Sequence, residues 1–400
     1  MTRTVRLLLG IVVAAALVAA PAAAAPSDLS RNPLDRAALL ALPSVYRVDV
    51  TVELDALRRA DGVLVPLPPR ARTVTESGTA VAVAPNGWLV TAGHVGAPSE
   101  ERIASQAYLL KRAVEGRPHT DELAREWVER TGATPVGARV AEREVRQADA
   151  GGGTRTSRLY EPTAVVRDPV ADLALMRIPA PGAPSLGLDE GTSIGTRIVT
   201  IGFGRESLLH DSDRGELEPA LRQGQLGRTG ELAPPTRAAI QITAPVARGD
   251  SGGPAVDEAG RVRGIVVVRN DRGGIVETAS SVRRLLEEAG VRAGPSRTEA
   301  LFREAMERFW ALDFEGAQAG FAETLGAFPA HTLAPHAARR AAVLEGADLR
   351  LVGIERRRAT LLAVAALATL GALACAVGLA RTRPAARGVP GPAPRRGGVR

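Results

Sequence analysis

The segment Gly249-Asp250-Ser251-Gly252-Gly253-Pro254 sets one serine among glycines, directly before a short apolar strand predicted at 255–256. The glycines let the backbone curl tightly, so that amide N–H groups can point at one position. A serine hydroxyl is a weak nucleophile at neutral pH and needs a neighbouring base to take its proton. If this segment is catalytic, the chain must also supply that base and a group that orients it.

Two further segments supply those groups. Thr91-Ala92-Gly93-His94-Val95 follows a predicted strand, and Ala171-Asp172-Leu173-Ala174-Leu175 opens another. Histidine titrates near neutral pH, so His94 can accept the proton of Ser251 and return it to a leaving group. Asp172 would fix the tautomer of the ring and stabilise its protonated form.

Taken singly, each segment has an ordinary structural explanation. His94 could be a core histidine, and Asp172 could cap the start of a strand. Asp168, four residues before Asp172, is a rival for the role of the acid. The order His, Asp, Ser, each in a matching local context, favours a catalytic triad. The amides of Gly249 and Ser251 would then form the oxyanion hole, at about 3 kcal/mol per donor.

Residues 45–292 resemble the trypsin-like serine peptidases, and among these the bacterial HtrA-like (Deg-type) branch. The motifs that carry the resemblance lie at 91–95, 167–175, 201–204, 241–244, 249–254 and 260–266. The resemblance implies a mainly β, chymotrypsin-like fold of two perpendicular six-stranded barrels, with the triad in the cleft between them. It implies a serine endopeptidase acting through an acyl-enzyme, and we expect neither a cofactor nor a metal ion.

The resemblance also places Pro245 and Val246 at the base of the primary specificity pocket. Neither side chain could neutralise a buried Arg or Lys, and a desolvated cation without a partner is costly. We therefore expect small or medium apolar residues, such as Ala, Val or Leu, at the cleaved bond.

The pattern of residues 45–292 agrees with a β domain that carries a helical insertion. Asn86-Gly87 between apolar runs indicates a hairpin. Strands are predicted at 45–52, 78–84, 88–91, 163–166, 173–178, 197–201, 239–243 and 262–268, with a closing helix at 281–289. Ser99 and Thr120 are typical helix starts, and Gly116 and Gly132 typical ends. They predict two helices inserted over 99–132.

Both ends of the chain have the character of membrane segments. Two arginines, an uncharged run over 7–20 and a triple alanine predict a signal peptide over 1–24. An uncleaved anchor is the alternative. Residues 359–380 are 22 uncharged residues, long enough to cross a membrane. With an exported N-terminus, residues 25–355 would lie outside the cytoplasm and the basic tail 381–400 inside it. The single cysteine, Cys375, falls in the membrane segment, so no internal disulfide is expected outside it.

The distribution of charge argues against a nucleic-acid partner. The formal net charge is +7, but the two ends hold eleven of the 51 basic residues and none of the 44 acidic ones. Residues 7–355 therefore carry a net charge of −4. A domain that binds nucleic acid would concentrate positive charge on its globular part.

The flanking segments complete the predicted organisation. Residues 25–44 are rich in Ala and Pro and indicate a linker, whereas 296–348 resemble a single tetratricopeptide-type helical hairpin. Protein or peptide substrates are the expected partners, and the sequence gives no indication of an oligomeric state. The alternative is a catalytically inactive trypsin-fold binding module displayed on the membrane. An esterase built on the same triad is a third interpretation.

Overall fold

The computed structural model describes residues 31–147, 158–204, 219–230, 239–270 and 273–346. The predicted signal peptide (1–24), membrane segment (359–380) and basic tail (381–400) lie outside these ranges. Within them, no helix combines the length and the apolar composition that a membrane span requires.

A short helix corrects the prediction of a linker over 25–44. Helix α1 runs from Pro33 to Ala41, and the side chain of Asn32 caps it by accepting the Leu34 amide. A 3-10 turn, Leu42–Ser44, then leads into the first strand. One face of α1 is buried, since Leu34 and four neighbouring residues are shielded from solvent. The Ala- and Leu-rich composition is therefore that of an amphipathic helix.

The first β body is an antiparallel sheet of seven strands. Its strands are β1 (Val45–Glu53), β4 (Thr73–Ala84), β5 (Trp88–Ala92), β7 (Arg139–Gln147), β8 (Leu159–Tyr160), β9 (Ala164–Asp168) and β10 (Leu173–Arg177). They are hydrogen-bonded in the order β8-β7-β1-β4-β5-β10-β9. This body therefore differs from the closed six-stranded barrel that we expected. The remaining short strands, β2 (Ala56–Arg58), β3 (Leu64–Pro66) and β6 (Thr134–Val136), form a separate sheet.

The predicted hairpin is the β4–β5 connection. Asn86 and Gly87 both have positive φ, 66° and 80°, in the turn between Ala84 and Trp88. Asn and Gly tolerate that left-handed conformation, which matches the twist of the two strands. Strand β5 is followed at once by a single helical turn, α2 (Gly93–Gly96), which carries the candidate base.

The two helices predicted between residues 99 and 132 are present. Helix α3 (Glu100–Val114) begins where Ser99 accepts the Arg102 amide, and α4 (Asp121–Thr131) begins where Thr120 accepts the Leu123 amide. Gly132, with a φ of 57°, ends α4. The two helices are joined by a face-to-face ring stack of Tyr108 on Trp127, with centroids 3.8 Å apart. They form a hairpin, called here the helical insertion.

The second β body is a closed barrel of six antiparallel strands. They are β11 (Arg197–Gly202), β12 (Ala220–Gly230), β13 (Ala239–Ile242), β14 (Pro254–Asp257), β15 (Val262–Asn270) and β16 (Gly273–Thr278). Pairing of β11 with β14 closes the barrel in the order β11-β12-β13-β16-β15-β14. Its interior is filled by aliphatic side chains such as Ile198, Ile240, Val266 and Val276.

Helices complete the described part of the chain. Helix α5 (Ala279–Glu288) packs on the second barrel. Helix α1 lies against β11, β14 and α6, which runs from Arg297 to Trp310. Helix α6 pairs with α7 (Phe314–Ala327) in the predicted helical hairpin. Phe302, Phe309 and Phe321 form the buried seam between them. A further helix, α8, covers residues 334–346.

Candidate active site

The base and the acid predicted from the sequence are in contact. His94 Nδ1 lies 2.6 Å from Asp172 Oδ2, and the backbone amide of His94 donates to Asp172 Oδ1 at 2.8 Å. Both side chains are only 18% exposed. One carboxylate therefore holds both the ring and the backbone of His94, which leaves Nε2 to face a substrate or a hydroxyl.

Local backbone geometry explains how Asp172 reaches the ring. Asp172 has a φ of 49°, a conformation that few non-glycine residues adopt. The amides of Val170 and Ala171 donate to Asp168 Oδ1 at 2.9 and 3.1 Å, which curls the chain just before Asp172. The backbone of Gly93 then packs against Asp172, and an ideal Cβ there would lie 2.8 Å from Oδ1. Only glycine fits before the candidate base.

The rival carboxylate, Asp168, is engaged elsewhere. Burial opposes its ionisation, but hydrogen bonds from the Ala171 and Val170 amides and from Arg284 together lower its pKa below the usual value. Its Oδ2 lies 3.4 Å from Arg284 Nη2. Asp168 thus stabilises the turn that presents Asp172, and Asp172 is the carboxylate that contacts His94.

The Ser251 segment is tied to the first β body through Thr79 on β4. Thr79 Oγ1 donates to the Gly249 carbonyl and the Thr79 amide donates to the Ser251 carbonyl, both at 2.8 Å. Gly252 has a φ of 90°, and an ideal Cβ there would lie 1.9 Å from the Thr79 carbonyl oxygen. The glycine is therefore needed for this close approach. Thr79 could not be predicted as part of the site, because nothing in its local sequence distinguishes it from other strand residues.

The amides of this segment fall into two groups. Those of Asp250, Gly252 and Gly253 donate to backbone carbonyls at 2.7–3.1 Å. The amides of Gly249 and Ser251 donate to no group within the residues that the structure describes. The two donors predicted for an oxyanion hole are thus the two that remain available. Asp250 turns away into the protein, where its Oδ2 accepts from Arg222 and from the Ala247 amide at 2.8 and 2.7 Å.

His94 and Ser251 lie where two cavities of about 500 Å³ meet. One cavity is also lined by Asp172, Ala247 and Val267, and is called here the Asp172 lobe. The other is lined by Gly78 and Gly249, and is called the Gly249 lobe. All three members of the predicted triad therefore border one continuous cleft between the two β bodies.

The helical insertion forms one wall of this cleft. Arg102 and Gln106 of α3 line both lobes, as does Arg248, which directly precedes Gly249. Arg248 donates to Asp121 Oδ2 at 3.2 Å and to Gln106 Oε1 at 3.4 Å. These contacts join the insertion to the second barrel beside the candidate catalytic residues. The sequence indicated the helices but not this location.

The two residues predicted for the base of the specificity pocket lie outside the lining of this cleft. Pro245 is exposed, and Val246 packs against the aliphatic core of the second barrel. Neither lines the two lobes, whereas Ala247 borders the Asp172 lobe. Among the described residues there is no cluster of His, Cys, Asp and Glu side chains suited to a metal ion.

Comparisons with known proteins show which family this part of the chain resembles. Residues 78–265 match the family model of the trypsin-like peptidase domain, and both His94 and Ser251 lie inside the match. Two curated relatives from Mycobacterium tuberculosis, serine protease Rv3671c of strain H37Rv and serine protease MT3772 of strain CDC 1551, are each 32% identical over 136 residues. That segment covers 33% of this chain and 34% of each relative, so the match spans about a third of their length.

Solved structures of two proteases are similar at low identity. The active form of the Rv3671c protease aligns with 69% of this chain and 96% of its own, at 19% identity and a TM-score of 0.41. An HtrA-type protease, AlgW with a decapeptide, aligns with 64% of this chain and 66% of its own, at 18% identity and a TM-score of 0.42.

The family match and the named relatives confirm the predicted resemblance to the trypsin-like serine peptidases. Residues 78–265 are similar to the trypsin-like peptidase domain, and the two relatives that match part of the chain are serine proteases.

Proposed function

We propose that the protein is a serine endopeptidase that cuts peptide bonds through His94, Asp172 and Ser251. The contact of His94 Nδ1 with Asp172 Oδ2 at 2.6 Å, in the cleft that Ser251 also borders, is the observation that carries this proposal. It orients the ring so that Nε2 takes the Ser251 proton as Oγ attacks the scissile carbonyl.

The remaining steps follow from the groups around Ser251. As the carbonyl carbon becomes tetrahedral, the amides of Gly249 and Ser251 would bind the developing oxyanion. The protonated His94 then gives its proton to the leaving amine, and the acyl-enzyme forms. Water, activated by the same ring, attacks the ester and releases the acid. Proteins or peptides are the proposed substrates, and no step calls for a cofactor.

The proposed preference at the cleaved bond is for small or medium apolar residues. Ala247 and Val267 line the Asp172 lobe and offer apolar surface there. Pro245 and Val246, predicted as the base of the pocket, directly precede Ala247. They would affect the preference by setting the position of Ala247 in the Asp172 lobe. An inactive binding module is less well supported, because such a module has no need of an oriented base and two available amides.

A fluorophosphonate probe, which reacts with an activated serine, tests the catalytic proposal. We expect labelling of the full-length protein and none of the Ser251→Ala variant. A peptide library treated with the same two proteins should then show Ser251-dependent cleavage after Ala, Val or Leu. Equal labelling of both proteins would contradict the enzyme proposal, and dominant cleavage after Arg or Lys would contradict the apolar preference alone.

We further propose that the catalytic part is exported and held at a cell membrane by a single span. The proposal rests on the signal-like residues 1–24 and the uncharged residues 359–380, followed by six arginines over 381–400. A reporter that is active only in the cytoplasm, fused to the C-terminus, should be active. A stably expressed but silent fusion would contradict this topology.

A further inference from the structure

We propose that the cleft selects peptides that carry acidic side chains beside the cleaved bond. This inference rests on the proposed endopeptidase function and specifies its substrate class. It concerns positions that flank the bond, and is independent of the apolar preference at the bond itself.

Positive charge dominates the exposed lining of the two lobes. Its exposed charged residues are four arginines, Arg70, Arg125, Arg167 and Arg248, and two acids, Glu101 and Asp121. Two other carboxylates line the cleft but are turned from solvent. Asp172 is bound to His94, and the buried Glu76 accepts from Arg102 at 2.9 Å.

The ion pairs in the cleft leave three of its arginines available. Arg248 is paired with Asp121 at 3.2 Å, and Arg47, at the far side of the Gly249 lobe, is paired with Asp49 at 2.8 Å. The side chains of Arg70, Arg125 and Arg167 form no ion pair or hydrogen bond with any residue of the described ranges. Their guanidinium groups can therefore take a carboxylate from a substrate, in the two-bond geometry for which arginine is suited.

Each lobe is lined by at least one arginine whose side chain has no ion-pair partner in the described ranges. Arg125 of α4 and Arg167 of β9 line the Asp172 lobe, where Glu101 offsets one of them, and Arg70 lines the Gly249 lobe. Each lobe thus keeps an excess of one positive charge among its unpaired residues. This excess contrasts with the net charge of −4 over residues 7–355. A cleft of one sign in a body of the other concentrates ligands of opposite charge near the reacting atoms.

The test compares three sets of peptides with the same apolar residue at the cleaved bond. The flanking positions carry Asp and Glu, Gln, or Lys. For the full-length protein in detergent at low salt, we expect kcat/KM to be about three- to tenfold higher for the acidic set than for the Gln set, and lower still for the Lys set. The spread should shrink at about 0.5 M NaCl, because salt screens exposed charges.

Charge reversal locates the effect. The double variant Arg125→Glu/Arg167→Glu should lose the acidic preference or reverse it, whereas Arg130→Glu should keep it. Arg130 is a matched control, since it is exposed on the same helix α4 and lines neither lobe. If the double variant is unfolded, Arg70→Glu tests the same prediction in the Gly249 lobe.

The outcomes separate this inference from the proposed function. A wild-type protein that takes no fluorophosphonate label refutes the catalytic proposal itself. A protein that is labelled and cuts peptides, yet treats the three sets alike, refutes only the charge selection. The same holds if the preference is present and survives charge reversal at Arg125 and Arg167.

Discussion

At the scale of single residues, two aspartates four positions apart perform different tasks. Asp172 contacts His94 with both carboxylate oxygens, through the ring and through the backbone amide. Asp168 contacts His94 with neither, and instead accepts the amides of Val170 and Ala171. The turn held by Asp168 sets the positive φ of Asp172, so the first aspartate acts through the second.

This division of tasks predicts unequal effects of the same substitution. Asp172→Asn should lower kcat by about 10³- to 10⁴-fold, because an amide cannot stabilise the imidazolium and favours the wrong tautomer. Asp168→Asn should stay within about tenfold of wild type, because its Oδ1 can still accept both amides. Steady-state kinetics on a cleavable peptide measures both variants.

Circular dichroism should show that both aspartate variants are folded. The reverse ranking, with Asp168→Asn the more damaged, would assign the orienting role to Asp168 and refute the assignment made here.

Among these residues, sequence could predict the ones that have glycines as neighbours. The glycines around Ser251, and Gly93 before His94, are needed because a Cβ at these positions would lie too close to neighbouring atoms. They therefore form a pattern that can be recognised in the sequence. Thr79 has no such pattern around it, although its two hydrogen bonds hold the Ser251 segment. Its partners are more than 160 residues away, and one threonine in a strand looks like any other.

At the scale of elements, sequence predicts the strands that have alternating or continuous apolar residues or a strong turn signal. β1 and β5 follow the expected positions to within one residue, whereas β4 begins at Thr73, five residues before the predicted start. Strand β7 was missed because its sequence, RVAEREVRQ, is mostly charged and its first half is exposed. Strand β12 was missed because Gly and Arg interrupt any apolar pattern. Both are specified by backbone pairing with their neighbours more than by burial of their own side chains.

The two helices of the insertion could be predicted from the sequence, but their position in the fold could not. Their caps, Ser99, Thr120 and Gly132, could be recognised because they satisfy local backbone groups. The place of the insertion beside the candidate catalytic residues depends on Arg248 and Asp121, which are 127 residues apart. Both side chains are about half exposed, so the pair adds at most about 1 kcal/mol to stability. The Arg248–Asp121 pair matters because it holds the helical insertion in place as one wall of the cleft.

At the scale of the whole molecule, the described residues between Arg31 and Ala342 belong to one compact unit. Helix α1 contributes to it by packing against the second barrel and α6, with Arg36 lying 4.7 Å above the ring of Trp310. The composition of residues 25–44 indicates a linker, because the sequence alone does not show which surface covers the apolar face of α1. The burial of α1 is a tertiary property, and only the assembled barrel and hairpin reveal it.

A buried histidine makes the stability of this unit depend on pH. His331 is 2% exposed beside Phe302, and its Nδ1 accepts the Ala334 amide at the start of α8. Burial lowers the pKa of His331 from 6.5 to about 3. The folded protein therefore keeps the ring neutral, whereas the unfolded chain binds a proton there below about pH 6.5. The contribution is complete above that pH and is lost as pH falls towards 3, at up to about 1.4 kcal/mol per pH unit.

The variant His331→Asn should weaken this dependence. Asn offers an oxygen that can accept the Ala334 amide, but it has no proton to bind between pH 3 and 6.5. We expect the free energy of unfolding, measured in urea at pH 7, 6, 5 and 4, to fall less steeply with acid in the variant than in wild type. Carboxylates such as Asp168 contribute equally to both proteins, so the difference in slope isolates His331. Identical slopes would mean that the ring is already protonated, or already exposed, in the folded protein.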